Sequence, residues 1–139
     1  MLDYNGTLAL DGRLMRGVRT RLKRLARLVR IHVVTADTFG NAWRELRGVP
    51  CDLVVLPDTK QDRAKRVYVL GLGARRTACI GNGRNDRAML RAARLGIVVV
   101  QREGASTAAL AAADLALPSI LDALDLLLHP LRLKASLRS

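Results

Sequence analysis

Aromatic side chains are almost missing from this chain: its 139 residues include one Trp, two Tyr and one Phe. Tyr4, Phe39, Trp43 and Tyr68 form no cluster, which argues against a base-stacking surface for single-stranded nucleic acid. Cysteine is equally scarce. Cys51 and Cys79 lie far apart, at or within apolar runs and at no metal-ligand spacing, so a disulfide scaffold and a thiolate metal site are both excluded and two buried, reduced thiols are expected. No apolar run approaches the roughly 20 residues of a membrane span. A cytoplasmic location without a leader segment before Asp3 is expected. Acidic residues are few, 12 against 24 Lys and Arg, giving a formal charge of +12.

That basic excess invites a nucleic-acid reading, but its distribution argues otherwise. Arg16, Arg19, Lys23, Arg27 and Arg30 recur at three- or four-residue steps opposite Val18, Leu22, Leu25 and Val29, the pattern of an amphipathic helix with a wet face. Nucleic acid is therefore not the expected partner, although such a surface attracts anions.

Half of the residues are apolar, enough to bury one core without disulfides or structural metal. One domain over 1–139 is expected. Short β-rich runs, "IHVVT" (31–35), "DLVVL" (52–56), "TACI" (77–80) and "GIVVV" (96–100), alternate with amphipathic stretches near 16–30, 39–47, 60–72, 84–94 and 105–112. A weaker run, "DLALP" (114–118), adds an edge. This alternation predicts an α/β three-layer sandwich around a mostly parallel sheet. A helical tail over 119–139 presents Leu121, Leu124, Leu127 and Leu128 on one side, packed on the sheet or docked on a partner.

In such sheets the functional site forms at the carboxyl ends of the strands. Polar groups stand there in order. "DYNGT" (3–7) leads into "LALDGRL", read as a strand end, a tight turn at Gly6, and a hairpin turning at Asp11-Gly12. A carboxylate at a strand tip can attack phosphorus or bind Mg²⁺. "VVTAD" places Thr35 and the backbone amides beside it at the next tip, although Thr is also an ordinary strand or capping residue. "GNGRND" (81–86) offers Asn82, Asn85 and Asp86 as oxygen donors for a hard cation, or else starts a helix capped by Asn85. Lys65 in "DRAKRVYVLGLG" taken singly is a solvated helix residue.

Together, "DYNGTLALDG", "VVTADT", Lys65 and "GNGRND" resemble, in the same order, the four motifs of the haloacid dehalogenase (HAD) superfamily of phosphohydrolases, over Asp3 to about Asp114. They look closest to its soluble, P-type ATPase-like branch. The resemblance implies a Rossmann-like sheet, Mg²⁺ as cofactor and a phosphorylated substrate, small or macromolecular. It makes Asp3 the nucleophile that forms an aspartyl-phosphate. Thr35, Ala36, Lys65 and Asn85 would meet the phosphoryl group, and Asp3, the carbonyl of Asn5, Asn82 and Asp86 would hold the metal.

Three departures matter. Superfamily phosphatases usually carry a second Asp two residues after the nucleophile, as acid and base; here Asn5 stands there, and an amide cannot shuttle a proton. Asn82 replaces a more usual Asp, removing one negative charge from the metal site, so weak Mg²⁺ binding and slow turnover are expected. Only 27 residues separate Thr7 from Thr35, and 29 separate Thr35 from Lys65, too few for a cap domain. An uncapped site is open to water, to macromolecules or to a neighbouring subunit acting as a lid in a homo-oligomer. A phosphate-binding or regulatory module that no longer turns over is the alternative function.

Other residues read as structural. His32 is expected in the core or an interface, His129 at a helix end, and Trp43 and Phe39 on one buried helix face. Asp37 serves the second motif or caps the next helix. Only two apolar residues precede Asp3, where a buried strand usually has four or five, so the first strand is expected either to be a stub or to begin upstream of Met1.

Overall fold

The computed structural model describes residues 1–36 and 40–138. In chain order it contains β1 (Leu2–Asp3), a hairpin of β2 (Ala9–Leu10) and β3 (Arg13–Leu14), α1 (Val18–Leu25), β4 (His32–Thr35), α2 (Ala42–Glu45), β5 (Asp52–Val55) and α3 (Gln61–Leu72). A 3-10 turn at Ala74–Arg76 leads to β6 (Ala78–Gly81), and a second at Arg84–Asp86 leads into α4 (Arg87–Ala92). Then come β7 (Leu95–Val99), α5 (Thr107–Leu110), β8 (Leu115–Leu117), α6 (Ile120–Leu128) and α7 (Pro130–Leu137).

Six strands form one parallel sheet in the order β5-β4-β1-β6-β7-β8. The chain builds outward from β1 through β4 to β5, then crosses to β6 and builds the other way. The switch point therefore lies at β1, flanked by β4 and β6, where open α/β sheets form their ligand crevice. β1 has only two residues, yet it is ladder-paired on both sides: Leu2 with Val33 and Ile80, and Asp3 with Val34. The Met1 amine continues the edge, donating to the Ala78 carbonyl at 2.7 Å, while the Ile80 amide donates to the Met1 carbonyl at 3.1 Å.

Alternation along the strands divides the core into two layers. Leu2, Val33, Ile80, Ile97 and Val99 face Val18, Leu22 and Leu25 of α1 and Ile120, Ala123 and Leu124 of α6. Val34, Cys79 and Val98 face Val69 of α3, Met89 and Leu90 of α4 and Ala109 of α5. The hairpin turns at Asp11 and Gly12, both left-handed (φ 50° and 76°), as a two-residue Asp-Gly connection requires. Buried Tyr4 holds it by donating its hydroxyl to the Gly12 carbonyl at 3.0 Å.

α1 is shorter than its periodicity, whereas α3 fills the stretch predicted over 60–72. The stretch predicted over 16–30 is helical only for Val18–Leu25, after which Arg27 and Leu28 donate to carbonyls three residues back. Val29, expected in the apolar stripe, is consequently exposed. Trp43 is also exposed, at 63%, because α2 is a single turn that buries only Ala42; its expected companion Phe39, like Asp37, lies outside the described residues. Cys79 is buried as expected, but Cys51 is half-buried, and both thiols are free. His32 donates to or accepts from the Tyr68 hydroxyl at 3.0 Å, at the amino end of β4 and away from the strand tips. His129 ends α6, its Nδ1 2.7 Å from the Asp125 carbonyl. The tail packs through α6, with Leu121, Leu127 and Leu128 partly buried beside Leu124.

Gly96 is where β7 and the end of α4 come closest: a Cβ there would stand 2.5 Å from the Leu90 carbonyl oxygen, a backbone atom that cannot step aside. Gly96→Ala is expected to cost about 1–3 kcal/mol, read as a lower urea midpoint at unchanged m-value. An unchanged midpoint would contradict this packing.

Candidate active site

The tips of β1, β4 and β6 deliver Asp3, Thr35 and Gly81 to one end of the sheet. Asp3, Thr35 and Asn82 are buried there, at 6%, 2% and 8% exposure. α3 supplies Lys65 from one turn inside its start. Helical side chains lean toward the helix N-terminus, which here faces the strand tips. The Lys65 ammonium is 2.7 Å from Asp3 Oδ1 and 2.6 Å from Asp86 Oδ1. All three side chains are withdrawn from solvent, and removing one partner from such a buried pair typically costs about 3–5 kcal/mol.

Thr7, in the first turn, lies 2.9 Å from Asp3 Oδ2 and 3.2 Å from Asn82 Oδ1, so its hydroxyl ties β1 to the turn after β6. Gly6 permits that closeness. It is left-handed (φ 76°), and a Cβ there would fall 2.6 Å from Asn82 Nδ2.

Asp86 departs from expectation. Its Oδ2 accepts the Asn82 and Gly83 amides at 2.9 and 2.8 Å, its Oδ1 accepts Lys65, and it is fully buried behind the lysine. Both oxygens are committed, and Asp86 does not line the cavity; it shapes the turn and anchors Lys65 rather than offering the free acidic oxygen expected of a metal ligand. Asn85 does not cap a helix either. Its Nδ2 donates to Gln61 Oε1 at 2.7 Å, across to α3.

The cavity in front of Asp3 measures about 170 Å³ and is lined by Asp3, Asn5, Thr35, Ala36, Gln61, Asn82, Gly83, Asn85 and Glu103. Of the residues singled out from sequence, it gathers Asp3, Asn5, Thr35, Ala36, Asn82 and Asn85, with Lys65 and Asp86 directly beneath. Thr7, Gln61 and Glu103 escaped sequence reasoning. Thr7 stood inside "DYNGT" with the signal of a turn residue only, whereas nothing local to Gln61 or Glu103 marks them.

Burial first, and the Asp86 carboxylate second, push Asp3 up to about 7, against the pull of Lys65 and Thr7. Burial works to lower the Lys65 ammonium, but Asp3 and Asp86 outweigh it and hold it at about 12. Two carboxylates share one cation, so the cluster carries an excess negative charge that a bound cation would offset. Asn5 Oδ1 is buried with no hydrogen-bond partner at the same cavity. Among the described residues no group of three or more His, Cys, Asp and Glu side chains could hold a metal. A cation here would rest on one inner carboxylate plus amide and carbonyl oxygens, donors that suit Mg²⁺.

No family model matches the chain. Two uncharacterized proteins of Methanocaldococcus jannaschii are similar to parts of it. MJ0073 is 49% identical over 59 residues, covering 42% of this chain and 63% of its own length, so the chain spans less than two thirds of that relative. MJ0072 is 45% identical over 38 residues, covering 27% of this chain and 86% of its own length.

Among solved structures, 3-deoxy-D-manno-octulosonate 8-phosphate phosphatase from Moraxella catarrhalis, in complex with magnesium, phosphate and KDO, superimposes with a TM-score of 0.68 at 16% identity, covering 91% of this chain and 83% of the other. The cobalt-bound phosphatase YrbI of Haemophilus influenzae gives 0.70 at 18%, covering 96% and 85%. A putative HAD superfamily (subfamily III A) hydrolase from Legionella pneumophila gives 0.70 at 18%, covering 98% and 84%. The chain thus shares the α/β fold of these phosphatases, and no cap domain is evident among the described residues. Among the described residues no helix is long and apolar enough to cross a membrane.

Because folding raises the Asp3 pKa from 3.8 to about 7, the folded state takes up a proton that the unfolded chain releases. That contribution is complete below pH 4 and is lost as pH rises to about 7. In metal-free buffer, the stability of the wild type relative to Asp3→Asn is expected to fall between pH 4 and 7, as measured by urea unfolding. A pH-independent difference would show that Lys65 alone satisfies Asp3.

Proposed function

We propose that this protein is an Mg²⁺-dependent phosphohydrolase or phosphotransferase of the HAD superfamily, working through an aspartyl-phosphate on Asp3. The observation that carries this reading is the buried Asp3 at a central strand tip, held by Lys65 and Thr7 and facing a cavity lined by Thr35, Asn82 and Asn85. The wording of its motifs supports a place near the soluble, P-type ATPase-like branch.

In this reading an Asp3 oxygen attacks phosphorus, the bond to the leaving oxygen breaks, and an acyl phosphate forms on Asp3. Thr35, the backbone beside Ala36, and Asn85 orient the phosphoryl oxygens. Lys65 stays protonated and balances the charge that moves from Asp3 to the phosphoryl group. Asp86 keeps Lys65 aimed. Asp3, Asn5 and Asn82 would hold Mg²⁺, which when bound spreads the phosphoryl charge. Water then attacks phosphorus, the bond between phosphorus and the Asp3 oxygen breaks to release inorganic phosphate and the free carboxylate, and the proton lost by the water passes to solvent; Asn5 limits the rate because its amide accepts no proton.

An adjoining cleft of about 510 Å³ shares Gln61 and Asn85 with the cavity and carries Lys60, Arg84 and Arg87, giving room to a leaving group much larger than phosphate. A second function, phosphate binding without turnover, is favoured by Asn5 alone.

With Mg²⁺, the wild type is expected to hydrolyse an aryl phosphate slowly, and Asp3→Asn to lose the activity by at least about 1,000-fold. Asn5→Asp, which restores a proton carrier, is expected to accelerate turnover about 10- to 100-fold, within the range of general acid-base catalysis. Equal rates in the wild type and Asp3→Asn would refute the enzyme. Calorimetric binding of a phosphate mimic with no turnover would favour the binding module.

A further inference from the structure

We propose that Glu103, in the loop between β7 and α5, is a cation ligand of this site, supplying the negative charge that Asn82 lacks. This inference rests on the cation-dependent site proposed above.

Glu103 lines the cavity with Asp3, Asn5 and Asn82. Its Oε2 lies 2.8 Å from where a Cβ on Gly6 would stand, and the Asn82 amide faces the same point, with Oδ1 at 2.8 Å and Nδ2 at 2.6 Å. The two oxygens therefore converge on one patch of the first turn, and only the missing side chain of Gly6 allows it. Cation sites are built by such convergence of oxygens from separate loops.

The loop does not wander into this place. On one side of Glu103, Gln101 Nε2 donates to the Gly6 and Thr7 carbonyls, each at 2.8 Å, while its Oε1 accepts the Ile120 amide at 2.9 Å. On the other side, the Gly104 carbonyl accepts Asn82 Nδ2 at 3.1 Å and the Ser106 amide donates to the Asn82 carbonyl at 2.9 Å. The backbone that carries Glu103 is thus anchored on both sides to the turns after β1 and β6, while its side chain is exposed at the mouth of the cavity. Its own carboxylate, among the described residues, makes no hydrogen bond or ion pair, in a chain with 24 Lys and Arg available to pair with 12 acidic residues.

The amide at 82 has a reason of its own. An Asp there would turn a carboxylate oxygen toward the Gly104 carbonyl, two acceptors facing each other without a proton. Asn82 instead donates to that carbonyl, fixing the loop that carries Glu103. One negative charge is given up in the turn and regained from the loop. The site then has two carboxylates facing the cavity, Asp3 and Glu103, with the Asn82 and Asn5 oxygens beside them, a hard-oxygen set for a divalent ion.

The test is isothermal titration of metal-free protein with Mn²⁺ and with Mg²⁺, comparing wild type, Asp3→Asn and Glu103→Gln at 0.15 M and 0.5 M salt. Glu103→Gln is expected to raise the Kd for Mn²⁺ about 10-fold or more at both salt concentrations, with an unchanged melting temperature without metal because the side chain has no protein partner. An unchanged Kd, or a weakening that vanishes at 0.5 M salt and so reflects only through-space attraction, would overturn the ligand role while leaving the proposed enzyme intact. A wild type that neither binds Mn²⁺ nor hydrolyses aryl phosphate with Mg²⁺ would overturn both.

Discussion

Everything at this site depends on one buried ammonium shared by two carboxylates. Lys65 reaches from the first turns of α3 to Asp3 at the tip of β1 and Asp86 behind the turn after β6, joining three elements that are far apart in sequence. Burying three charges is tolerable only because each is hydrogen-bonded as well as paired: Asp3 also receives Thr7, and Asp86 receives two backbone amides. The geometry of the central strand tip is therefore over-determined, and Asp3 keeps its position although β1 contributes only two residues to the sheet. Anchoring comes from side-chain charge and from ladder bonds on both sides, where strand length would ordinarily provide it.

The same cluster has two carboxylates to one ammonium, and burial first, with the Asp86 charge second, holds Asp3 up near neutrality. A site in that condition is prepared for a cation. The two amides, Asn5 and Asn82, stand on different parts of this balance. Asn5 brings an amide that carries no proton and leaves its Oδ1 buried without a partner. Asn82 binds the loop after β7 through both its backbone carbonyl and its side chain.

Much of this was legible in the amino-acid order. Val, Ile and Leu runs marked the five longer strands within a residue or two, because the inner strands are buried on both faces and the edge strands β5 and β8 keep apolar residues against the helices. Asp11-Gly12 marked the hairpin, since only that kind of pair accepts two left-handed residues in succession. The polar residues at the strand ends marked the site. The length of α1 was not legible: periodicity extends from Arg16 to Arg30, but the helix ends at Leu25, and Val29 and Trp43 are left in water. Nor was the role of Asp86 legible, since an acidic residue in a glycine-rich turn has the same local signature whether its oxygens face a cation or a lysine.

Sequence by itself thus determined the α/β class and the parallel order of elements, and it marked Asp3, Thr35 and Asn82 as polar groups at strand ends, because burial patterns and turn chemistry are local properties; Lys65 was marked only by the resemblance of the ordered motifs. Only the tertiary structure decided which oxygens remain free. Asp86 is spent on Lys65 and two amides, Thr7 on Asp3 and Asn82, and Glu103, among the described residues, on nothing. That allocation is set by distances between β1, α3 and the loop after β7, segments up to about a hundred residues apart, and no local pattern encodes such distances.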